Sequence, residues 1–364
     1  MQTQGSLVEQ LREALIATDG PPEQNAEPAL RRISPLSTAE SRRQVINEVL
    51  ADLTGLGALQ RYVDDPTINE VMVVSGRHVW VEDADGIRAT EPLAPGQFDV
   101  IVERLLRRVG RRIDHLSPTV ETRLPSGARV CAVISPIAID GGILCVRRFS
   151  DNVLPLRAFC QQDIAPILQH IVDARFNVVI SGPTSSGKTS LMASLGALIN
   201  PRDRVITIED TAELRIQQPH VVRLEARPEN SERNGAIDLT HLVRTALRLR
   251  PDRLIVGEVR GNEVVDMLTA LSTGHDGSWT SVHSNGVANT MIRLETMFLR
   301  AIPNIDVTAV RHLIHSAIDI VIHLGKTTDG SRRITDIVQI SKNNNQHRQI
   351  VSGGVIIAEL TERH

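Results

Sequence analysis

The chain has 364 residues, which is enough for two or three domains that each bury a core of their own. Its formal net charge is −3 and aromatic residues make up 2% of it, so we expect neither bulk attraction to nucleic acid nor a base-stacking platform. No run approaches 18 apolar residues, and the start lacks a basic segment followed by an apolar one. We therefore expect no spanning helix and no export signal.

The cysteines and lysines are few, and both facts constrain the function. Cys131, Cys145 and Cys160 are odd in number and have no CxxC spacing, which argues against a disulfide framework and a four-cysteine zinc site. We expect three buried thiols. Lysine occurs only at Lys188, Lys326 and at position 342, so a motif that requires a lysine is more specific here than usual.

The N-terminal part is predicted to be a helical extension with a flexible linker. SLVEQLREALIA (6–17) has apolar residues at helical spacing, with Ser6 and Glu9 placed as a capping box. Residues 37–54 repeat this pattern. Between the two helices, TDGPPEQNAEP (18–28) is polar and rich in proline and glycine, which is typical of a mobile linker.

The remaining chain is predicted to form two domains of different architecture. In residues 56–150, INEVMVV and HVWVE indicate a hairpin, FDVIVERLLRRVG an amphipathic helix, and VETRL, RVCAVI and ILCVRRF further strands. This pattern is typical of a small α+β domain. In residues 151–364, apolar strands alternate with helices, which favours an α/β domain with a parallel sheet covered on both faces. We place the boundary between these two domains near Ser150. The helical extension that precedes both of them comprises residues 1–55.

A phosphate-binding motif lies at the first strand–helix junction of the second domain. GPTSSGKT (182–189) matches G-x-x-x-x-G-K-[ST], follows the apolar strand NVVIS and opens a helix, which is the context that the mechanism requires. Backbone N–H groups of such a loop and the helix N-terminus bind phosphate oxygens. The predicted nucleotide-binding residues are Gly182, Pro183, Thr184, Ser185, Ser186, Gly187, Lys188, Thr189 and Ser190. Lys188 is expected to bridge the β- and γ-phosphates of ATP and Thr189 to hold Mg²⁺.

Acidic residues follow two later strands. In RLIVGEVRG a buried strand leads to Glu258, whose length suits polarising a water better than ligating a metal. In ITIEDTAEL a second strand leads to Glu209, Asp210 and Glu213. If the sheet is parallel, both groups lie at its carboxyl edge beside the phosphate loop. For each, the alternative is an ordinary surface acid at a strand end.

Two histidines occur in TGHDGSWTSVHSNG (273–286), where WTSV is predicted to be the next strand. His283 then lies at its carboxyl end, near Lys188 and Glu258, and His275 lies at its other end. Across an extended strand the two imidazoles are roughly 20 Å or more apart, which argues against one metal ion. The position favours sensing of phosphate or water over a structural hydrogen bond in a turn.

Taken in order, the phosphate loop, IEDTAEL, PDRLIVGEVRG and TGHDGSWTSVHSN resemble the type II/type IV secretion ATPase superfamily. The phrases DDPTINEVMV, ETRLPSGARV, VRRF and DGSRRITDI extend the resemblance over residues 56–341. These phrases are most similar to the Tad/Flp pilus assembly ATPases of the CpaF type. The four-cysteine zinc module of some relatives is absent from the sequence, and residues 1–36 have no counterpart that we can assign.

The resemblance implies a RecA-like ATPase domain preceded by a PAS-like domain, with nucleotide bound between them. It assigns Glu258 to the hydrolytic water, Glu209 and Glu213 to its support, and His275 and His283 to coupling. It also implies first-domain arginines near the γ-phosphate, for which Arg129, Arg147 and Arg148 match and Arg123 is a weaker candidate. For each arginine the alternative is a solvated side chain.

We therefore expect an ATP hydrolase that uses ATP and Mg²⁺ to power pilus assembly or protein secretion. The resemblance implies a homo-hexamer, a membrane platform protein as partner, and a place in the cytoplasm at the inner face of the membrane. The alternative is a RecA-like motor that translocates nucleic acid. The charge and the scarcity of aromatic residues argue against this alternative, so no nucleic-acid partner is expected.

Overall fold

The chain divides into two compact units, residues 1–150 and 151–364. The computed structural model describes residues 4–363 except 19, 84, 125–126, 149–152, 162, 228, 230–234, 327–330 and 343–346. The expected boundary residue, Ser150, lies outside the described residues. None of the helices in the described part is long and apolar enough to cross a membrane.

Three helices form the start of the N-terminal unit. They are α1 (Gln4–Ile16), α2 (Pro22–Ile33) and α3 (Ala39–Leu53). They pack around a small apolar cluster that includes Leu11, Leu30 and Val49. The prediction of a mobile linker is wrong, because most of that segment is helix α2. The capping box at Ser6 is also wrong, because α1 begins two residues earlier, at Gln4.

Helix α2 forms despite its prolines because their positions matter more than their number. Pro22 is the first helical residue, where a missing N–H removes no hydrogen bond. Ala26, Ala29 and Leu30, at spacings of three and four, are buried on one face. Pro28 lies inside the helix and is exposed, so the backbone hydrogen bond that it interrupts is on the solvent side of the helix.

The rest of the N-terminal unit is the predicted α+β fold. Six of its described strands form an antiparallel sheet in the order β3-β2-β1-β6-β5-β4. Its elements are a 3₁₀ turn (Gly57–Leu59), α4 (Gln60–Asp64), β1 (Glu70–Val74), β2 (His78–Asp83), β3 (Gly86–Ala89), α5 (Gln97–Arg108), β4 (Thr119–Arg123), β5 (Arg129–Val133) and β6 (Ile143–Arg147). The sequence analysis missed α4 and β3.

Successive residues along each strand of this sheet point alternately to a buried face and to an open face. Val71 and Val73 of β1 and Val130 of β5 are buried together with residues of α5. On the open face, Cys131 and Cys145 are partners in the register of β5 and β6, and both are half-buried. The expectation of three buried thiols therefore holds only for Cys160.

Nine described strands of the C-terminal unit form one sheet in the order β15-β14-β13-β12-β7-β11-β10-β8-β9. Strands β12, β7, β11, β10, β8 and β9 are parallel, and β13 to β15 extend the sheet antiparallel. The strands are β7 (Val178–Gly182), β8 (Val205–Glu209), β9 (Val221–Glu225), β10 (Arg253–Val256), β11 (Trp279–His283), β12 (Ile320–Lys326), β13 (Arg332–Gln339), β14 (Arg348–Ser352) and β15 (Val355–Ile356). The sequence analysis did not name β9 or β12 to β15.

Helices cover both faces of the central strands. They are α6 (Ala165–Asp173), α7 (Lys188–Gly196), α8 (Leu239–Ala246), α9 (Glu263–Ser272), α10 (Val287–Ala301) and α11 (Val307–Ala317). Two apolar clusters lie on opposite faces of the sheet, as successive residues of β7 show: Val178 belongs to one and Val179 to the other. This arrangement brings the carboxyl ends of β7, β11, β10 and β8 to a single edge.

Candidate nucleotide-binding site

The phosphate motif forms a tight loop between β7 and α7. The strand ends at Gly182, and Gly187, the N-cap of α7, has φ +91°, which a side chain would disfavour. A Cβ at Gly182 would lie 2.5 Å from Ser186 Oγ. This hydroxyl is fully buried and has no hydrogen-bond partner among the described residues. The loop thus encloses a free donor next to the N–H groups of a helix start.

Lys188 folds back over this loop. Its Nζ donates to the carbonyl oxygens of Gly182 and Pro183, both at 3.0 Å, and lies 3.0 Å from Nδ1 of His283. Burial lowers the pKa of Lys188, and the charge of Glu258 opposes that effect. No carboxylate among the described residues forms an ion pair with this ammonium group. It is a buried cation held by neutral groups, which suits an incoming anion.

Glu258 and His283 lie at the carboxyl ends of the neighbouring strands β10 and β11. Glu258 Oε1 is 2.9 Å from His283 Nε2, and Glu258 Oε2 accepts a 2.6 Å hydrogen bond from Arg260 Nη2. The glutamate side chain is 17% exposed, so one face of it still meets solvent. The structure therefore brings together Lys188, Glu258 and His283 and adds Arg260, which the sequence analysis had not singled out.

His283 has a defined protonation state in this cluster. Burial lowers its pKa, the charge of Lys188 lowers it further, and Glu258 opposes both. Because the lysine donates to Nδ1, the neutral ring carries its proton on Nε2, facing Glu258. A neutral imidazole thus connects the phosphate-loop lysine to the carboxylate on the next strand but one.

Glu209 lies under this cluster and is itself buried. Its Oε1 accepts hydrogen bonds from the N–H groups of Glu213, at 3.0 Å, and Leu214, at 2.8 Å. Burial raises the pKa of Glu209 to about 7, against the effect of these hydrogen bonds. A Cβ at Gly257 would lie 2.8 Å from Glu209 Cγ, so only glycine lets β10 pass this close. Glu209 thereby supports the backbone that leads to Glu258.

The remaining loop residues are open to a ligand. Thr184 and Ser185 are exposed, and Thr189 and Ser190 are half-buried in the first turn of α7. With the unpartnered Ser186 hydroxyl and a lysine that has no carboxylate partner, they form a site whose donors fit a polyphosphate. Mg²⁺ would find the Thr189 hydroxyl on this side of the loop. Among the described residues no group of three or more His, Cys, Asp or Glu could hold a metal by itself.

Three of the four expected arginines lie in one row of the N-terminal sheet. Arg123, Arg129 and Arg147 are register partners on β4, β5 and β6, so their side chains form a row on the open face of the sheet. Arg129 also forms a 2.8 Å ion pair with Glu121, at an exposed position.

Two expected site residues lie outside both the arginine row and the cluster beside the phosphate loop. Arg148 is next to Arg147 in sequence but hydrogen-bonds the carbonyl oxygen of Asp65, and its N–H bonds Asn69. His275 precedes β11, and its Nδ1 lies 3.2 Å from the carbonyl oxygen of Ala270. His275 is therefore at the opposite end of the strand that ends at His283.

The fold and the site together define a P-loop protein of the RecA-like class with a separate N-terminal domain. Residues 52–361 match the family described as type II/IV secretion system protein. A putative conjugal transfer protein of Mycobacterium tuberculosis is 34% identical over 299 residues, covering 79% of this chain and 84% of that protein. Conjugal transfer protein TrbB of Rhizobium radiobacter is 29% identical over 296 residues, covering 79% and 88%.

Solved structures give the same result for the fold. The ATPase DotB of Legionella pneumophila matches with a TM-score of 0.57 at 22% identity, covering 78% of this chain and 80% of that chain. The predicted fold class is confirmed. This chain belongs to the type II/IV secretion ATPase family, as the resemblance of its motifs had indicated.

Proposed function

We propose that this protein hydrolyses ATP with Mg²⁺ and uses the energy to drive pilus assembly or protein secretion. The observation that carries the proposal is the set Lys188–His283–Glu258, in which a buried cation, a neutral imidazole and a carboxylate meet beside the phosphate loop. A carboxylate held within reach of a water beside the phosphate loop is what general-base activation of that water requires.

In the proposed reaction, Lys188 leaves the carbonyl oxygens of Gly182 and Pro183 and binds the β- and γ-phosphates. Bound Mg²⁺, with Thr189 among its ligands, would neutralise charge on the same phosphates. Arg260 holds Glu258 at Oε2. Oε1 of Glu258 lies 2.9 Å from His283 Nε2 but has no hydrogen-bond partner among the described residues, and it accepts a proton from the attacking water. His283 loses its lysine partner when Lys188 moves, so its Nδ1 becomes free to accept a hydrogen bond from a water beside the γ-phosphate. In this way His283 reports the presence of nucleotide to Glu258.

The proposal is tested by separating binding from hydrolysis. Glu258→Gln is expected to bind Mg-ATP with nearly wild-type affinity and to lower kcat by about 10²-fold or more, because the amide cannot take the proton. Lys188→Ala is expected to lose both the affinity for Mg-ATP and the turnover. The lysine ammonium group binds the phosphates in the ground state and in the transition state. Calorimetry measures the affinity and phosphate release measures kcat.

The control for these variants is Glu103→Gln, which removes an exposed acid of α5 whose ion-pair partner is Arg107 of the same helix. Near wild-type turnover by Glu258→Gln would show that another group activates the water. An absence of Mg-dependent ATP affinity in folded wild-type protein would refute the whole proposal.

The process and the partners belong to the same proposal. We propose a homo-hexamer at the cytoplasmic face of the membrane that acts on a membrane platform protein. The motif phrases favour the Tad/Flp pilus branch, whereas the matched relatives carry names from conjugal transfer. The rival function, translocation of nucleic acid, predicts that DNA or RNA stimulates ATP hydrolysis with a steep dependence on salt. We expect no such stimulation.

A further inference from the structure

Behind the phosphate loop, two polar side chains face each other across β7 and β12. Ser181 and His323 are register partners, and Ser181 Oγ lies 2.9 Å from His323 Nδ1. Ser181 is fully buried and His323 is 9% exposed. The two residues are 142 positions apart in the chain, and the sequence analysis had not considered either of them.

This pair interrupts an apolar face of the sheet. Two residues earlier on the same strands, Val179 and Val321 are register partners and belong to one apolar cluster. A buried hydroxyl or imidazole without a partner costs about 1–3 kcal/mol. Ser181 Oγ also donates a long hydrogen bond, 3.4 Å, to the carbonyl oxygen of Ile322, so the shorter contact with His323 is the stronger of its two. Two further apolar residues would pack as stably, because replacing both members of a buried polar pair by apolar groups is often neutral. Stability alone therefore does not explain the pair.

The pair lies directly against the start of the phosphate loop. Ser181 precedes Gly182, whose carbonyl oxygen accepts a hydrogen bond from Lys188. Leu324 follows His323, and its carbonyl oxygen would lie 2.7 Å from a Cβ at Gly182. The backbone of β12 thus packs against Gly182, the first residue of the loop. The hydrogen bond between Ser181 and His323 joins β7 and β12 one residue before it.

We propose that His323 is a positioning residue that, through Ser181, holds the first residue of the phosphate loop where Lys188 can reach the triphosphate. This inference rests on the proposed function and adds a residue to it. His283 ends β11 and Glu258 follows β10, and both strands lie on the other side of β7. The effect of His323 is therefore on the affinity for nucleotide and not on the hydrolytic step.

The surroundings of His323 keep it neutral, as this role requires. Burial lowers its pKa and the charge of Lys188 lowers it further, whereas Asp336, its register partner on β13, opposes both. A neutral ring retains one donor and one acceptor nitrogen, so Nδ1 can pair with the Ser181 hydroxyl.

Two amide substitutions of the same residue test the proposal. In His323→Asn the amide replaces Nδ1 and can keep the hydrogen bond to Ser181, whereas in His323→Gln it reaches towards the position of Nε2 and loses that bond. We expect the Kd of Mg-ATP to stay within about twofold of wild type for the first variant and to rise about fivefold for the second. At saturating Mg-ATP, kcat should stay within about twofold for both.

The second partner supplies an independent test. Ser181→Ala should raise the Kd about fivefold, and the double variant with His323→Gln should raise it no further, because both changes remove one interaction. The matched control is Ser194→Ala, which also removes a buried serine hydroxyl, but one whose partners in the described part of the chain are the carbonyl oxygens of Leu154 and Ser190. This control should lower the melting temperature without changing the Kd.

The outcomes separate this inference from the function on which it rests. Wild-type protein without affinity for Mg-ATP refutes the proposed function. If wild type binds and His323→Gln binds equally well, His323 does not position the loop. A fall in kcat at unchanged Kd, or additive effects in the double variant, overturns the inference as well. If His323→Gln does not fold, the Ser181→Ala variant alone tests the proposal. An unchanged Kd of that variant for Mg-ATP then counts against it.

Discussion

His283 shows how one side chain joins elements that are distant in sequence. It is 95 positions from Lys188, yet its Nδ1 contacts that lysine while its Nε2 contacts Glu258. The motif around His283 predicted only that it ends a strand at the phosphate edge. Which nitrogen faces which partner follows from the order β7-β11-β10, which places the histidine between the lysine and the glutamate.

Glu209 makes the stability of the C-terminal unit depend on pH. Its folded-state pKa of about 7 is above the ordinary value of 4.5, so the folded protein holds the proton more tightly than the unfolded chain. Stability is therefore lost as the pH rises from 4.5 through 7. Glu209→Gln should raise the free energy of unfolding at pH 8 by up to about 3 kcal/mol, and the difference should vanish below pH 4.5.

This prediction can be measured by chemical denaturation with a single reporter. The chain has two tryptophans, and in a Trp80→Phe background the buried Trp279 reports the C-terminal unit alone. The control is Glu225→Gln, which removes the exposed carboxyl opposite Glu209 in the register of β8 and β9. An equal pH dependence in both variants would mean that burial of Glu209 is not the cause.

Helix α2 shows that amino-acid composition alone can mistake a helix for a linker. Prolines 21, 22 and 28 and neighbouring polar residues are typical of a linker, and the apolar signal is confined to Ala26, Ala29, Leu30 and Ile33. This apolar stripe stabilises the helix only because α1 and α3 supply apolar side chains for it to pack against. Local propensity, which is low here, is overruled by tertiary packing.

Pro28→Ala is expected to stabilise the helical extension. The exposed proline inside α2 removes one hydrogen bond of the helix and costs about 3 kcal/mol, of which about 1 kcal/mol is recovered through the restricted unfolded chain. A net gain of about 2 kcal/mol should appear as slower amide exchange in α1 to α3. Pro22→Ala, at the first position of the same helix, is the control and should give little or no gain. Equal protection in both variants would contradict the explanation.

At the level of the whole molecule, the chain is two compact units, each with its own sheet and core. The arginine row Arg123–Arg129–Arg147 belongs to the N-terminal unit and the phosphate loop to the C-terminal unit.

The proposed ring predicts a defined change in mass. Six copies of the 40.0-kDa chain would give about 240 kDa, the mass expected from light scattering with a non-hydrolysable ATP analogue and Mg²⁺. Lys188→Ala should show no response to the analogue, because it cannot hold the phosphates. A wild-type protein that binds the analogue and stays monomeric at high concentration would refute the ring while leaving the ATPase site intact.

The sequence by itself determined the local features of this protein: the phosphate loop after a buried strand, the acid after another, the two domain types and, through the order of its motifs, the family. These features are contiguous in the chain, so pattern and spacing suffice to predict them. Only the tertiary structure decided that Arg260 holds Glu258, that Glu209 is buried beneath Gly257, and that His323 faces Ser181. Such contacts depend on which strands are neighbours and on their register. The free energy of long-range packing sets that arrangement, and no short pattern in the sequence records it.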